Sequence, residues 1–273
     1  RRAFDALGVT YRRVRPTHGC WWYGTINKPT ALAAAEEIAD TDLILWFDTD
    51  TLVVEDLPEL DLPADVDFAA RPAESILGTT GEGSPNDPYW RTVCEKLGLS
   101  YDALPWITSF PEGERIRMYW QGGVYGYRRS TRLAQTHLGI YLRRLEMRVA
   151  SKRCGIYFYD QTSMTLAVHQ LGLRWRALDH RYNFGLNKRN HEDWDRPQLH
   201  EAKVIHYHDS LMEDTYPKFM AALRAHRSEV HAWLEPQGPL RSTLPPHWRV
   251  GRKALDVLRE RRYAAYAKTC IPV

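Results

Sequence analysis

Two aspartates one residue apart, Asp48 and Asp50, follow directly on the short apolar run Leu43-Ile44-Leu45-Trp46-Phe47. Such a run reads as a strand buried on both faces. In an open α/β sheet, ligands bind beyond the carboxyl ends of the strands. In extended chain, residues i and i+2 point the same way, so both carboxylates can converge on one hard cation. A divalent ion held this way can bind a diphosphate and stabilise the charge that develops on it as a leaving group. Paired aspartates after a strand also cap turns and helices, and spacing alone does not separate the two readings. His206 ends a second β-like run, residues 202–207. If that strand borders the first, its imidazole completes a mixed oxygen and nitrogen site suited to Mn²⁺ or Mg²⁺. His208 points the same way along an extended chain and stays an alternative ligand.

Several elements must position these groups. Residues 4–7 read as the end of a helix and 9–14 as a short β segment. Asn27-Lys28-Pro29 opens a helix through residue 39, with Asn27 as N-cap and Pro29 in the first turn. A helix feeding the 43–47 strand implies an α/β sheet of largely parallel strands. Further strands are expected at 66–70, at 117–127 with an interruption at Gly122-Gly123, at 173–178 and at 202–207. Helices are expected at 131–149, 160–171 and 216–234. The Gly- and Pro-rich stretch 78–88 reads as a mobile loop. Residues 236–246 read as a linker between a unit spanning 1–235 and a basic helix, 247–268, in a C-terminal appendage of 247–273.

The segment LILWFDTDTLVVEDLPEL, residues 43–60, resembles the D-x-D block of GT-A glycosyltransferases, above all family 8 and its glycogenin-like relatives. Three more blocks follow in that family's order. YWQGGV, residues 119–124, is similar to its aromatic-Asn-small-Gly-Val block. Asp160-Gln161 resembles its D-Q pair opening a helix, with Arg181-Tyr182-Asn183 downstream. VIHYH, residues 204–208, resembles the segment that supplies a late histidine. The resemblance implies a GT-A type fold, a mixed sheet flanked by helices. It also implies a metal-dependent hexosyltransferase that retains anomeric configuration, takes a nucleoside-diphosphate sugar (UDP most readily) and acts on a glycan, lipid or protein acceptor.

On that reading Asp48, Asp50 and His206 hold Mn²⁺ or Mg²⁺, and Lys28 and Lys218 contact the diphosphate. Asp160 and Gln161 position the sugar, and Gly122-Gly123 lets it lie against the backbone. For these the plain rivals are a helix N-cap at Asp160, a β-bulge at the glycines and solvated lysines. Gln121 stands where the family has Asn, and Tyr216-Pro217-Lys218-Phe219 where it has Lys-Pro-Trp. The strand that opens family members has no counterpart ahead of the first helix, so it is either cut away or replaced by another grip on the nucleoside. Acceptor loops are expected at 74–88 and 187–198.

Composition narrows the alternatives. With 37 Lys+Arg against 34 Asp+Glu the net charge is +3, which gives no signature of a nucleic-acid binder. No apolar stretch approaches the roughly 20 residues of a membrane span. Four scattered cysteines form no CxxC, and no secretory apolar segment leads the chain, which points to a reducing, cytoplasmic setting. Basic residues and aromatics in the last helix suggest contact with an anionic inner-membrane face. Two other functions remain in view. FDTDTLV superficially resembles the first motif of haloacid-dehalogenase-like phosphatases, although Leu52 is out of pattern and no late acidic pair follows. A catalytically inactive sugar-nucleotide binding domain would accommodate the Gln121 departure.

Overall fold

A computed structural model describes residues 2–15, 18–187, 194, 196–241 and 245–273. The chain runs α1 (Arg2–Ala6), α2 (Asn27–Ile38), β1 (Leu43–Phe47), β2 (Thr51–Val53), β3 (Phe68–Pro72), α3 (Asp87–Leu97), β4 (Trp106–Thr108) and β5 (Arg115–Arg117). It continues through β6 (Trp120–Arg128), α4 (Leu133–Met147), β7 (Val149–Ala150), α5 (Tyr159–Gln170), β8 (Trp175–Ala177), β9 (Phe184–Gly185) and β10 (Val204–His206). The last elements are α6 (Tyr216–His226), α7 (Ser228–Leu234), α8 (Pro246–Ala267) and β11 (Ile271–Pro272).

The main sheet has the order β1-β6-β3-β8 and is mixed, not largely parallel: β6 runs antiparallel to both β1 and β3, and only β3 and β8 are parallel. Burial on both faces gives a strand a continuous apolar sequence whatever its direction, so apolarity could not report direction. Here β3 and most of β6 are the strands buried throughout. The 43–47 run, expected to be buried on both faces, forms the edge, where only Ile44 is buried and Leu45 is exposed. Phe68, Trp120, Tyr125 and Leu166 join the largest core cluster, with α5 packed on β6 and α4 packed on α5 and α2.

A smaller sheet, β2-β10-β9, sits beside the first. β10 pairs antiparallel with β2, placing His206 opposite Thr51, and parallel with β9, placing His206 beside Gly185. Phe219 and Leu223 of α6 close a second core with Ile205 and Phe184. The Asp48–Asp50 turn therefore bridges the two sheets, since β1 belongs to one and β2 to the other.

Other expectations shift in detail. Residues 9–14 form no strand; they are exposed and no neighbouring strand pairs with them. Asn27 is the first helical residue of α2 and Ile26 takes the cap position, without a side-chain cap bond. The glycines at 122 and 123 do not interrupt β6. The 78–88 stretch is packed down, because Asn86 Nδ2 donates to the carbonyls of Ile76 (3.1 Å) and Gly78 (2.7 Å). The expected 216–234 helix breaks at Arg227, whose buried guanidinium leaves the helical path to reach the carbonyls of Leu199 and Ala202 and, at 2.7 Å, Glu55. α8 leans on the domain through Tyr263 and Tyr266 against Trp22, and β11 then pairs with β7; Leu255 and Leu258 stay exposed.

Candidate active site

The segment expected to extend both aspartates in one direction is a tight turn, so the alternation of extended chain does not apply to it. The two carboxylates part company. The backbone N–H of Asp48 donates to Gly123 O at 2.9 Å, continuing the β1–β6 ladder. Its carboxylate meets Lys28 Nζ at 2.9 and 3.1 Å and accepts from Trp46 Nε1 at 2.8 Å. Lys28 also donates to Gly122 O at 2.9 Å and lies 3.5 Å from Asp160 Oδ2. Burial alone would discourage the charge on Lys28, but Asp160 and Asp48 outweigh it and raise its pKa.

Asp50 faces the other way. Its Oδ1 lies 3.2 Å from His206 Nε2 and its Oδ2 lies 3.6 Å from His208 Nδ1. The hydrogen bond from His206 is the main reason the Asp50 pKa is lowered. Asn183 Oδ1 accepts from His206 Nδ1 at 2.9 Å, which holds the ring with Nε2 directed at the Asp50 carboxylate. His208 lies just past β10, and a left-handed φ of 49° folds its ring back onto that of His206, with centroids 3.7 Å apart. Desolvation, and then the His206 ring, push the His208 pKa down to about 4, so its imidazole is neutral at pH 7. Among the described residues Asp50, His206 and His208 form the one group of such side chains close enough to share a metal ion, their ligand atoms within 4.8 Å of one another. Asp48 is not part of it. The donor set of two imidazoles and a carboxylate, with one imidazole anchored from behind by an amide, suits a first-row divalent ion.

Gly123 stands where the two sheets touch. A Cβ there would lie 2.7 Å from His206 Nδ1 and 3.0 Å from Asn183 Nδ2. The close approach read from Gly122-Gly123 is thus, at 123, an approach to the protein's own histidine. At Gly122 a Cβ would meet Lys28 Nζ at 3.5 Å, ordinary contact distance.

Asp160, on the first turn of α5, makes no capping bond and turns its carboxylate to Lys28. His137 of α4 donates to the Asp160 carbonyl at 2.8 Å and pins that turn. Gln161 is buried, and its Nε2 has no hydrogen-bond partner among the described residues. An unpaired buried amide costs about 1–3 kcal/mol. Gln121 is engaged: its Oε1 accepts from the Gly122 N–H at 2.8 Å and its Nε2 donates to Glu74 at 3.2 Å. Lys218 is exposed on α6, and no hydrogen bond or ion pair joins it to these groups. From sequence Glu74 stands only at the start of an expected acceptor loop, and Asn183 only within a motif; neither residue type announces its partner.

A mixed α/β fold with an acidic turn between two sheets, facing histidines on one side and a lysine on the other, has the parts for binding an anionic sugar donor. Residues 1–172 match the family described as the Rhodobacterales glycosyltransferase domain, and the chain belongs to that family. That family is described as a glycosyltransferase domain, and the phosphatase reading is not favoured. Among curated proteins none matches. Two solved structures are distantly similar: the glycosyltransferase GlyE of Streptococcus pneumoniae TIGR4 (14% identity, 79% of this chain, TM-score 0.38) and apo WbbM, a bifunctional glycosyltransferase (13% identity, 82% of this chain, TM-score 0.36). This chain spans 48% and 38% of those two proteins, about half or less of their length. No described helix is long and apolar enough to cross a membrane.

Proposed function

We propose that the chain transfers a hexose from a nucleoside-diphosphate sugar, UDP-linked by preference, to an acceptor hydroxyl with help from Mn²⁺ or Mg²⁺. The observation that carries this reading is the facing of Asp50 Oδ1 and His206 Nε2 at 3.2 Å while Asn183 holds the opposite ring nitrogen. Asp50, His206 and His208 would hold the ion, which supplies charge to the departing diphosphate. Asp48 acts instead through Lys28, orienting the ammonium that meets the phosphate oxygens. Asp160 and Gln161 face the sugar, with the Asp160 carboxylate held beside Lys28. A GT-A type arrangement with retention of configuration follows from the family-8 resemblance, with residues 1–235 as the catalytic unit and 236–246 leading to the 247–273 appendage.

The test is a melt with Mn²⁺ and UDP, GDP or inorganic phosphate, followed by incubation with a panel of nucleotide sugars. Stabilisation that needs both metal and nucleoside diphosphate, with diphosphate release from one donor, is expected. Equal stabilisation by phosphate, or release from no donor, would reject the reading.

Peripheral membrane contact is supported separately by α8, where Trp248, Val250 and Leu258 are exposed beside Arg249, Arg252 and Lys253. Cosedimentation with vesicles of anionic but not zwitterionic lipid would bear it out, and equal recovery in the supernatant would not.

A further inference from the structure

The histidines share their cleft with a second wall that the donor reading leaves without a role. The cleft holds about 470 Å³ and is lined by His206 and His208, and also by Glu74, Gln121, Phe110 and Phe158. Small-molecule sites fall in the range of roughly 300–1,000 Å³ and combine apolar surface with a few fixed polar groups. Glu74 is such a group. Arg71, itself buried, donates to Glu74 Oε1 at 2.9 Å and to the Phe110 carbonyl at 3.3 Å. Gln121 Nε2 donates to Glu74 Oε2 at 3.2 Å and to Oε1 at 3.4 Å. A carboxylate offers about four acceptor positions. Among the described residues three are taken, which leaves Oε2 room for one more donor, and the side chain is 39% exposed.

The carboxylate is also tied to the donor cluster. Gln121 accepts from Gly122 N–H, and Gly122 O accepts from Lys28, which holds Asp48 and Asp160. One hydrogen-bonded path therefore runs from Glu74 to the groups proposed to face the donor, and it fixes their relative positions.

We infer that Glu74 is the acceptor-binding residue: its free Oε2 position accepts a hydrogen bond from the incoming hydroxyl, and that hydroxyl belongs to a sugar ring. An acceptor-only carboxylate selects an O–H donor, and the Phe110 and Phe158 rings supply apolar surface for the C–H face of a pyranose. The inference rests on the donor reading above for which side of the cleft the acceptor enters.

Two measurements test it, on the full chain with Mn²⁺. Saturation-transfer NMR in the presence of UDP follows binding of methyl hexopyranosides of the gluco, galacto, manno and N-acetylglucosamine series. Product formation with the donor that turns over then compares these hexosides with a tyrosine-containing peptide and with dodecanol. Glu74→Gln keeps the shape and an oxygen for Arg71 but replaces the free acceptor by an amide. It should raise the KM of the best hexoside about tenfold or more, a larger effect than any it has on acceptor-free donor hydrolysis, which the broken Gln121 contact also touches. Glu74→Asp, which keeps the charge, should lie between, and both variants should melt with the parent protein. An unchanged hexoside KM, hydrolysis falling in step with transfer, or preference for the peptide or the alcohol would overturn the inference. If no donor turns over, the donor reading fails on its own, and the NMR arm still decides here. Loss of the hexoside signal in Glu74→Gln supports acceptor binding at Glu74; an unaltered signal, or none with the parent chain, overturns it.

Discussion

The missing side chain of Gly123 is what allows the main sheet to touch His206: a Cβ at 123 would stand 2.7 Å from the imidazole Nδ1. The β1–β6 register sets Gly123 against Asp48, while the β2–β10 register sets His206 against Thr51. The two sheets can carry the acidic turn between them only if β6 presents bare backbone at this point.

Gly123→Ala should therefore destabilise the fold by about 1–3 kcal/mol, the usual cost of forcing extra atoms into a packed contact. It should also abolish any Mn²⁺-dependent rise in Tm, because the His206–Asn183 pair must move. Gly122→Ala is the control: its Cβ meets Lys28 and Gln161 at no less than 3.5 Å. Urea midpoints near the parent value for Gly122→Ala, with a clear drop for Gly123→Ala, are the expected outcome, and equal midpoints would contradict it.

Lys28 gathers Asp48, Asp160 and the Gly122 carbonyl around one ammonium. Lys28→Met should cost about 1–3 kcal/mol, because two half-buried carboxylates and a carbonyl lose a charged donor. It should also lower diphosphate release more than it lowers stability. Lys28→Arg should not restore the rate, since a flat guanidinium cannot occupy the place of a compact ammonium. A rate for Lys28→Arg equal to the parent's would remove the lysine from the donor site.

Sequence made the acidic turn, the late histidine and the Asp160-Gln161 pair legible because each carries a residue type that chemistry needs at a strand or helix end. The split of the Asp48–Asp50 pair was not legible. It depends on whether residues 48–50 are extended or turned, and that is decided by β2 joining a second sheet. Likewise LILWF announced a strand but not its place at the sheet edge, where of its five residues only Ile44 is buried. Glu74 was legible only as the start of an expected acceptor loop: its partners, Arg71 and Gln121, come from β3 and β6, and no local pattern links the three.

The link between α4 and α5 should be sensitive to pH. His137 is fully buried, and burial lowers its pKa from 6.5 to about 3. The unfolded chain then binds a proton that the folded chain refuses wherever pH lies between those values. Stability from this group is whole above about pH 6.5 and declines as pH falls toward 3. His137→Gln, which keeps an N–H for the Asp160 carbonyl, should flatten the loss of Tm between pH 6.5 and 4.5 relative to the parent protein. An identical slope in both would show that another group titrates there.

The division of labour between Asp50 and Asp48 gives the sharpest test of the site. Asp50 faces two imidazoles, whereas Asp48 is held by Lys28 and Trp46. Asp50→Asn and His206→Ala should each remove the Tm rise given by Mn²⁺ with UDP, and EDTA should do the same to the parent chain. Asp48→Asn should keep the response to Mn²⁺, yet weaken UDP binding by about tenfold, a loss near 1.4 kcal/mol, because Lys28 loses the carboxylate that aims it. The two carboxylates differ in partners by geometry alone, so their variants must differ in kind and not only in degree. If Asp48→Asn loses the Mn²⁺ response as completely as Asp50→Asn, the ion draws on both aspartates and the turn must open to let it.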